Sequence, residues 1–112
     1  ADIRDEAVPL LENLSNELIN FKHENHHVEI EGHTDDVPIR TVRYPSNWEL
    51  SVHRATNIVR FLLDKGIDKT KLKAAGFADT QPKAPNKDEL GLPIPKNQAM
   101  NRRIVIKVHR RY

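Results

Sequence analysis

Cysteine is absent from this sequence, and so is any long apolar run. Without cysteine, the chain can form neither a disulfide framework nor a metal site built on thiolates. The longest apolar stretches, such as 61–63 and 104–106, are far shorter than the roughly 20 residues that span a bilayer. No signal peptide is visible either. We therefore expect the chain as given to be soluble, although it could be excised from a larger protein.

Net charge and aromatic residues are also scarce. The 112 residues carry 18 lysines and arginines against 16 acidic residues, and aromatic residues make up 5%. The basic tail 107–112 could bind nucleic acid by charge, but the sequence shows no nucleic-acid-binding motif and no aromatic residues interleaved with the charges. The length is typical of one domain, and we predict a single domain over 1–112.

Two stretches have helical periodicity. Apolar residues recur at helical spacing over about 5–23. A second series starts near Leu50 and ends at Lys65 and Gly66, a typical helix stop. Either Ser46, with Glu49 three residues later, or Ser51 could cap its start. The apolar series is regular from Ala55 onward, which favours Ser51.

Strand signals alternate with these helices. Val28 and Ile30 alternate with glutamates and end at Gly32, and further strands are predicted over about 72–77 and 103–109. Residues 35–46 form a loop, and the proline-rich stretch 78–101 favours an irregular path over the surface. The order αβαββ predicts a two-layer α+β domain with its helices packed on one face of a mixed sheet.

Two charged residues near the middle of the chain suggest a binding site. Asp35 follows a predicted strand, and Arg54 lies in the predicted first turn of the second helix. A carboxylate can accept hydrogen bonds from an ammonium, and a guanidinium can hold a carboxylate with two parallel donors. The pair could therefore clamp a zwitterionic group. The side chain of diaminopimelate in bacterial cell-wall peptides is such a group, so cell-wall binding is the leading hypothesis.

A wider set of residues resembles a known family, the peptidoglycan-binding OmpA-like domain. The resemblance covers about residues 1–109 and rests on 32–35 (Gly-His-Thr-Asp), Asn47, Leu50, Ser51, Arg54, Ala55, Gly76 and 101–103 (Asn-Arg-Arg). It implies a non-catalytic module that binds diaminopimelate and needs no cofactor. The implied binding residues are Asp35 and Arg54, with Thr34, Asn47 and Leu50 shaping the pocket and Arg102 and Arg103 beside it.

Within that family, the stretches 35–39 and 46–51 resemble the B subunits of flagellar motor stators. This resemblance implies a periplasmic domain that anchors a stator to the cell wall. It also implies a homodimer, a stator A subunit as partner and a single membrane helix before this chain, in the inner membrane. The family's domain opens with a strand before its first helix. Residues 1–3 are at most a remnant of it, so we expect that strand to be truncated.

Simpler interpretations and other functions stay open at this point. Asp35 and Asp36 could be turn residues, Arg54 could face solvent, and Trp48 could pack the loop or stack on a sugar. A metal-dependent hydrolase could use His33 with Asp35 and Asp36, and a second histidine group lies at His23, His26 and His27. The domain could also anchor an envelope protein that is not part of a flagellar motor.

Overall fold

The computed structural model describes residues 3–20 and 26–110, with three α-helices and three strands in that part of the chain. The elements follow one another as α1 (Val8–Asn20), β1 (His26–Gly32), α2 (Asn47–Asp64), β2 (Leu72–Gly76), α3 (Pro95–Asn101) and β3 (Ile104–Arg110). Short 3₁₀ turns precede α1 at Asp5–Ala7 and β2 at Lys69–Lys71. None of the helices in these ranges is long and apolar enough to cross a bilayer.

The three strands form one mixed sheet in the order β2-β1-β3. β1 runs parallel to β2, with Gly32 opposite Gly76, and antiparallel to β3, with Gly32 opposite Ile104. On β1, Val28 and Ile30 point into the core, whereas the alternating glutamates point to the other face. The predicted two-layer α+β arrangement with a mixed sheet is confirmed.

The core lies between this sheet and the two longer helices. Six fully buried apolar side chains form it: Leu11, Val28, Ile30, Ala55, Ile58 and Leu62. The α2 members recur every three or four residues, which places them on one side of the helix. The opposite side of α2 is therefore free to carry polar residues.

Two glycines let α2 lie directly on the strand backbones. A Cβ at Gly32 would overlap the carbonyl oxygen of Ser51. A Cβ at Gly76 would come within 2.6 Å of the Ser51 hydroxyl and 2.7 Å of the Val52 nitrogen. Since Gly32 and Gly76 are paired across β1 and β2, the two strands together form a shallow seat for the helix. This close approach fixes the distance between α2 and the end of β1.

The start of α2 differs from the prediction. Ser46, not Ser51, is the N-cap: its hydroxyl accepts a hydrogen bond from the Trp48 nitrogen at 3.2 Å and donates to Glu49 at 2.6 Å. Ser51 is instead fully buried within the helix. Arg54 consequently lies about two turns inside α2, so its placement in the first turn was wrong.

The proline-rich stretch contains a helix that the sequence pattern did not predict. α3 begins at Pro95, where a proline is tolerated because the first helical N–H needs no partner within the helix.

The other predicted elements agree closely with the structure. Each predicted strand ends within one residue of its observed C-terminal residue. The first helix begins at Asp5 as a 3₁₀ turn, and the predicted residues 21–23 lie outside the described ranges, as do residues 1 and 2 of the expected strand remnant. Ile3 precedes the 3₁₀ turn outside any strand.

Candidate functional site

A pocket of about 280 Å³ opens where β1 ends, beside the N-terminal half of α2. Six of the seven predicted binding residues line it together with the loop that follows β1: Thr34, Asp35, Asn47, Leu50, Arg54 and Arg102, with Val37, Pro38 and Ile39 from the loop. The side chains come from three separate parts of the chain. The fold therefore brings the predicted residues together, while their binding role stays a prediction.

Asp35 already has partners in this pocket. Its Oδ2 accepts a hydrogen bond from Nη1 of Arg102 at 2.7 Å, and its Oδ1 accepts one from the Val37 nitrogen at 3.0 Å. The residue is 8% exposed. Because a carboxylate offers about four lone-pair positions, each oxygen can still accept a further donor. Asp35 is thus a fixed carboxylate with capacity left for an ammonium.

Arg54 is in the opposite situation. It is half-buried and lines the same pocket, yet it makes no ion pair or hydrogen bond with any residue in the described ranges. The pKa of Arg54 is lowered from its ordinary value, first by burial and then by repulsion from Arg4 and Arg102. A partly desolvated guanidinium without an anion is costly unless a ligand supplies one. The arrangement favours a carboxylate as that ligand group.

The loop that forms the pocket wall is held by α2 and by the turn after β2. The Asn47 side-chain amide donates to the Val37 carbonyl at 3.1 Å. Thr34 donates its backbone N–H to the Ala78 carbonyl at 2.9 Å, and the Ala78 N–H donates to the Ser51 hydroxyl at 3.1 Å. Ala78 adopts a positive φ of 51°, a conformation that costs energy for a residue with a Cβ. These contacts position the loop before any ligand arrives.

A second brace holds the long segment before α3. Asn101 is fully buried, and its side-chain oxygen accepts hydrogen bonds from the nitrogens of Lys83 (2.7 Å) and Ala84 (3.1 Å). Its amide nitrogen donates to the Ala84 carbonyl and to Asn86. Asn101 therefore supports the segment from within rather than facing the pocket, and it fixes the position of the neighbouring Arg102.

Arg103 is the one predicted binding residue that does not line this pocket. Its guanidinium donates to the Gln81 carbonyl at 3.0 Å, and it lines a neighbouring apolar groove of about 450 Å³. Its backbone carbonyl accepts a hydrogen bond from the His33 nitrogen at 2.9 Å. Arg54 and Arg102 line both the pocket and the groove, whereas Arg103 lines the groove and not the pocket.

Comparison with known proteins identifies the family. The family model described as OmpA matches residues 1–91. The chain belongs to the OmpA family. Motility protein B of Bacillus subtilis is 36% identical to it over 107 residues, which are 95% of this chain and 38% of that protein. The chain thus spans little more than a third of the length of this curated relative.

Solved structures show the same fold as this OmpA-family domain. The C-terminal domain of Helicobacter pylori MotB superposes with a TM-score of 0.81 at 24% identity, covering 98% of this chain and 78% of that one. The cell wall anchor of the T6SS from Pseudomonas aeruginosa superposes with a TM-score of 0.75 at 34% identity, covering 96% and 68%. The sequence resemblance to the OmpA-like domain is confirmed, and the chain is homologous to the C-terminal domain of motility protein B.

The residues of the hydrolase alternative do not converge in this OmpA-family domain. His33 is buried, stacks on Phe77 with ring centroids 5.1 Å apart, and places Nε2 3.2 Å from Glu31. Asp36 instead accepts a hydrogen bond from Gln98 at 3.0 Å. No group of three or more possible metal ligands occurs in the described ranges, and His23 lies outside them. The geometry therefore gives no support to a catalytic centre made of His33, Asp35 and Asp36.

Some parts of the OmpA-family pocket were missed by sequence reasoning. Val37, Pro38 and Ile39 form part of the pocket wall. They are visible in the sequence as an apolar triplet inside a non-periodic loop, but they contributed only to the family resemblance and were not predicted to line the pocket. Leu50 lines the pocket and does not belong to the core cluster. Trp48 is 52% exposed and does not line the pocket. Apolar contact with a ligand is therefore available from the loop and from Leu50.

Proposed function

We propose that this domain binds cell-wall peptidoglycan noncovalently, through the diaminopimelate of its stem peptide, and thereby anchors a flagellar motor stator to the cell wall. The observation that carries the proposal is the half-buried Arg54 guanidinium, which lines a pocket with Asp35 and has no anionic partner in the described part of the chain. The end of the diaminopimelate side chain offers an ammonium and a carboxylate on one carbon. Arg54 would hold the carboxylate and Asp35 the ammonium.

The geometry supports binding rather than turnover. Thr34 and Asn47 use their side chains to hold the loop, since Thr34 donates to the Asp35 carbonyl at 2.8 Å and Asn47 to the Val37 carbonyl. Leu50 and the loop residues 37–39 provide apolar walls for the methylene chain of the ligand. A pocket fixed in this way loses little conformational entropy on binding.

The comparisons support the cellular role. The relatives include motility protein B of B. subtilis and the solved periplasmic domain of H. pylori MotB. By this similarity we assign the domain to the periplasm, in a protein held in the inner membrane by one N-terminal helix that contacts the stator A subunit. We also propose a homodimer, because β3 is an edge strand in the described sheet and unpaired strand edges favour pairing. Sedimentation over a range of concentrations tests this, and a monomer at millimolar concentration would contradict it.

A second candidate is anchoring of an envelope complex other than the flagellar motor. The T6SS cell wall anchor of P. aeruginosa favours it, because that chain is 34% identical over nearly the whole of this one. The pocket chemistry would be the same for both candidates. Motility assays of a strain whose motor subunit carries this domain separate them, since only the stator role predicts that an Arg54 variant stops swimming.

Calorimetric titration with a soluble diaminopimelate-containing muropeptide tests the binding proposal. Arg54→Ala should weaken binding by about 1.5–3 kcal/mol, the range for hydrogen bonds to a charged group. Arg60→Ala is the matched control, because Arg60 is an exposed arginine on the same helix outside the pocket. Addition of a chelator should leave the affinity unchanged, and no cleavage product should form. Equal affinities for the wild type and a folded Arg54 variant would refute the assignment.

A further inference from the structure

The pocket carries more positive than negative charge. Its lining contains three charged side chains, Arg54, Arg102 and Asp35. The adjacent Asp36 does not correct the imbalance, because it does not line the pocket and is engaged by Gln98 and by Lys87, whose Nζ lies 3.7 Å away. A ligand group with one ammonium and one carboxylate would leave one positive charge in place. A ligand with a second carboxylate would neutralise it.

Arg102 has the hydrogen-bonding capacity to accept that second carboxylate. A guanidinium has five N–H donors in a fork, and the Arg102 side chain uses one of them, Nη1, on Asp35. Its guanidinium makes no other hydrogen bond with the described residues, and the side chain is 40% exposed. Arg102 can therefore hold Asp35 and still offer donors to a ligand. It does not have to leave Asp35 to do so.

The neighbouring Arg103 lacks this arrangement. It lines the adjacent groove instead of the pocket, and its Nη2 donates to the Gln81 carbonyl. Both arginines line the groove, but of the two only Arg102 also lines the pocket. A role in reading a ligand in this pocket is thus open to Arg102 and not to Arg103.

We propose that Arg102 is a specificity-determining residue that binds a second carboxylate of the stem peptide, beyond the diaminopimelate carboxylate held by Arg54. The inference rests on the proposed function, since it concerns the same pocket. Stem peptides carry two further carboxylates of the same chemistry, one on the glutamate residue and one at the C-terminus. The domain would accordingly distinguish free-acid wall peptides from peptides amidated at one of these positions.

Titration of the wild-type domain with three diaminopimelate muropeptides tests the proposal without any variant. One peptide is the free acid, one is amidated at glutamate, and one is amidated at the C-terminus. One of the two amides should bind roughly 10-fold or more weakly than the free acid, the value of one charge-assisted hydrogen bond. The amide that loses affinity identifies which carboxylate Arg102 reads.

Variants then assign the effect to its residue. In Arg102→Gln the affinity difference between the free acid and the sensitive amide should disappear, whereas in the matched control Arg103→Gln it should persist. Amidation of the diaminopimelate carboxylate should still weaken binding to Arg102→Gln, because Arg54 is intact. If Arg102→Gln fails to fold, Arg102→Lys keeps the charge and should retain part of the difference.

The outcomes separate this inference from the proposed function. Equal affinities of the wild type for all three peptides would overturn the role of Arg102 and leave diaminopimelate binding in place. Loss of the difference in Arg103→Gln as well would show a diffuse charge effect, which also overturns it. Absence of binding to the free acid would refute the proposed function and the inference together.

Discussion

Two buried carboxylates near the end of β1 have opposite relations to the cations around them. Glu31 is 5% exposed, and each of its oxygens has a partner: Oε1 lies 3.2 Å from His33 Nε2, and Oε2 lies 2.8 Å from Lys107 Nζ. The hydrogen bond from Lys107 is the main cause of the lowered pKa of Glu31. Asp35 also has two partners, but a further cation, Arg54, lies beside it without an anion in the described ranges.

This difference separates a structural network from the proposed binding site. At Glu31 both oxygens have partners, so a ligand would gain little there and would disturb existing bonds. Near Asp35, burial and then repulsion from Arg4 and Arg102 lower the pKa of Arg54, and an added negative group would offset this repulsion. Burial alone therefore does not distinguish the two sites. The informative feature is a partly buried charge that lacks a partner.

The largest expected effect would disturb both sites at once. Gly32 lies between Glu31 and Asp35, and in Gly32→Ala the new Cβ would overlap the backbone of Ser51 in α2. We expect the free energy of unfolding to fall by roughly 3 kcal/mol or more, because the clash joins the backbone of β1 to the backbone of α2, and neither element can shift without disturbing the core. Chemical denaturation measures this. Gly66→Ala is the comparison without overlap: nothing lies within 4 Å of a Cβ there, and its φ of 94° is strained for alanine, so we expect a smaller loss of about 1–2 kcal/mol. Equal losses in the two variants would contradict the close packing.

A second pair of variants should separate the two sites. Glu31→Gln should lower the free energy of unfolding by about 1–2 kcal/mol, because Lys107 and His33 lose their charged acceptor, and it should leave muropeptide affinity nearly unchanged. Arg54→Ala should do the reverse, with weaker binding and little change in unfolding. Denaturation and calorimetry on the same protein samples test both. A binding defect in Glu31→Gln as large as that in Arg54→Ala would remove the distinction.

The smallest expected effect is a pH dependence of stability on the Glu31 side. Burial lowers the pKa of His33 from its ordinary value near 6.5, so the folded protein binds this proton less readily than the unfolded chain. Stability should fall as the pH decreases below about 6.5, by at most about 1.4 kcal/mol per pH unit for one such group. The lowered pKa of Glu31 should add a further loss as the pH falls below the ordinary glutamate pKa of 4.5.

Denaturation curves between pH 7.5 and pH 5, a range chosen to bracket the ordinary histidine pKa of about 6.5, measure this slope. His33→Gln should reduce it. His53, whose pKa is also lowered chiefly by burial, should contribute a separate part that His53→Gln removes. A slope unchanged in His33→Gln would show that the buried imidazole does not resist protonation.

The sequence predicted the strands and the longer helices because their apolar periods of two and of three to four residues are long and regular. It failed at α3, where Pro95 begins a helix too short to show a period, and at the cap of α2. Ser51 was favoured there because the apolar series is regular from Ala55, yet the Ser46 hydroxyl is the one that bonds to the exposed N–H of the first turn. The spacing of apolar residues therefore does not identify which residue is the N-cap of a helix.

The sequence predicted most of the residues that line the candidate site, but not the hydrogen bonds between them. Asp35 and Arg54 were predicted from their charges and the resemblance added Arg102, and all three line one pocket. The bond between Asp35 and Arg102 joins residues 67 positions apart, and it depends on the loops after β1 and before β3 rather than on any local pattern. The sequence likewise did not show that only Arg102 of the two adjacent arginines lines the pocket. Arg102 is the C-cap of α3 and Arg103 leads into β3, so neither residue belongs to a periodic element that would state which of them meets the pocket.

The central claim is that Arg54 reads the carboxylate of diaminopimelate while Asp35 holds its ammonium. Calorimetric titration of the wild-type domain with a diaminopimelate muropeptide and its lysine-type counterpart tests it most directly, because lysine keeps the ammonium and lacks the neighbouring carboxylate. We expect the lysine peptide to bind about 10- to 150-fold more weakly, which corresponds to about 1.5–3 kcal/mol. Equal affinities for the two peptides would show that Arg54 does not read the carboxylate, and the proposed mechanism would be wrong.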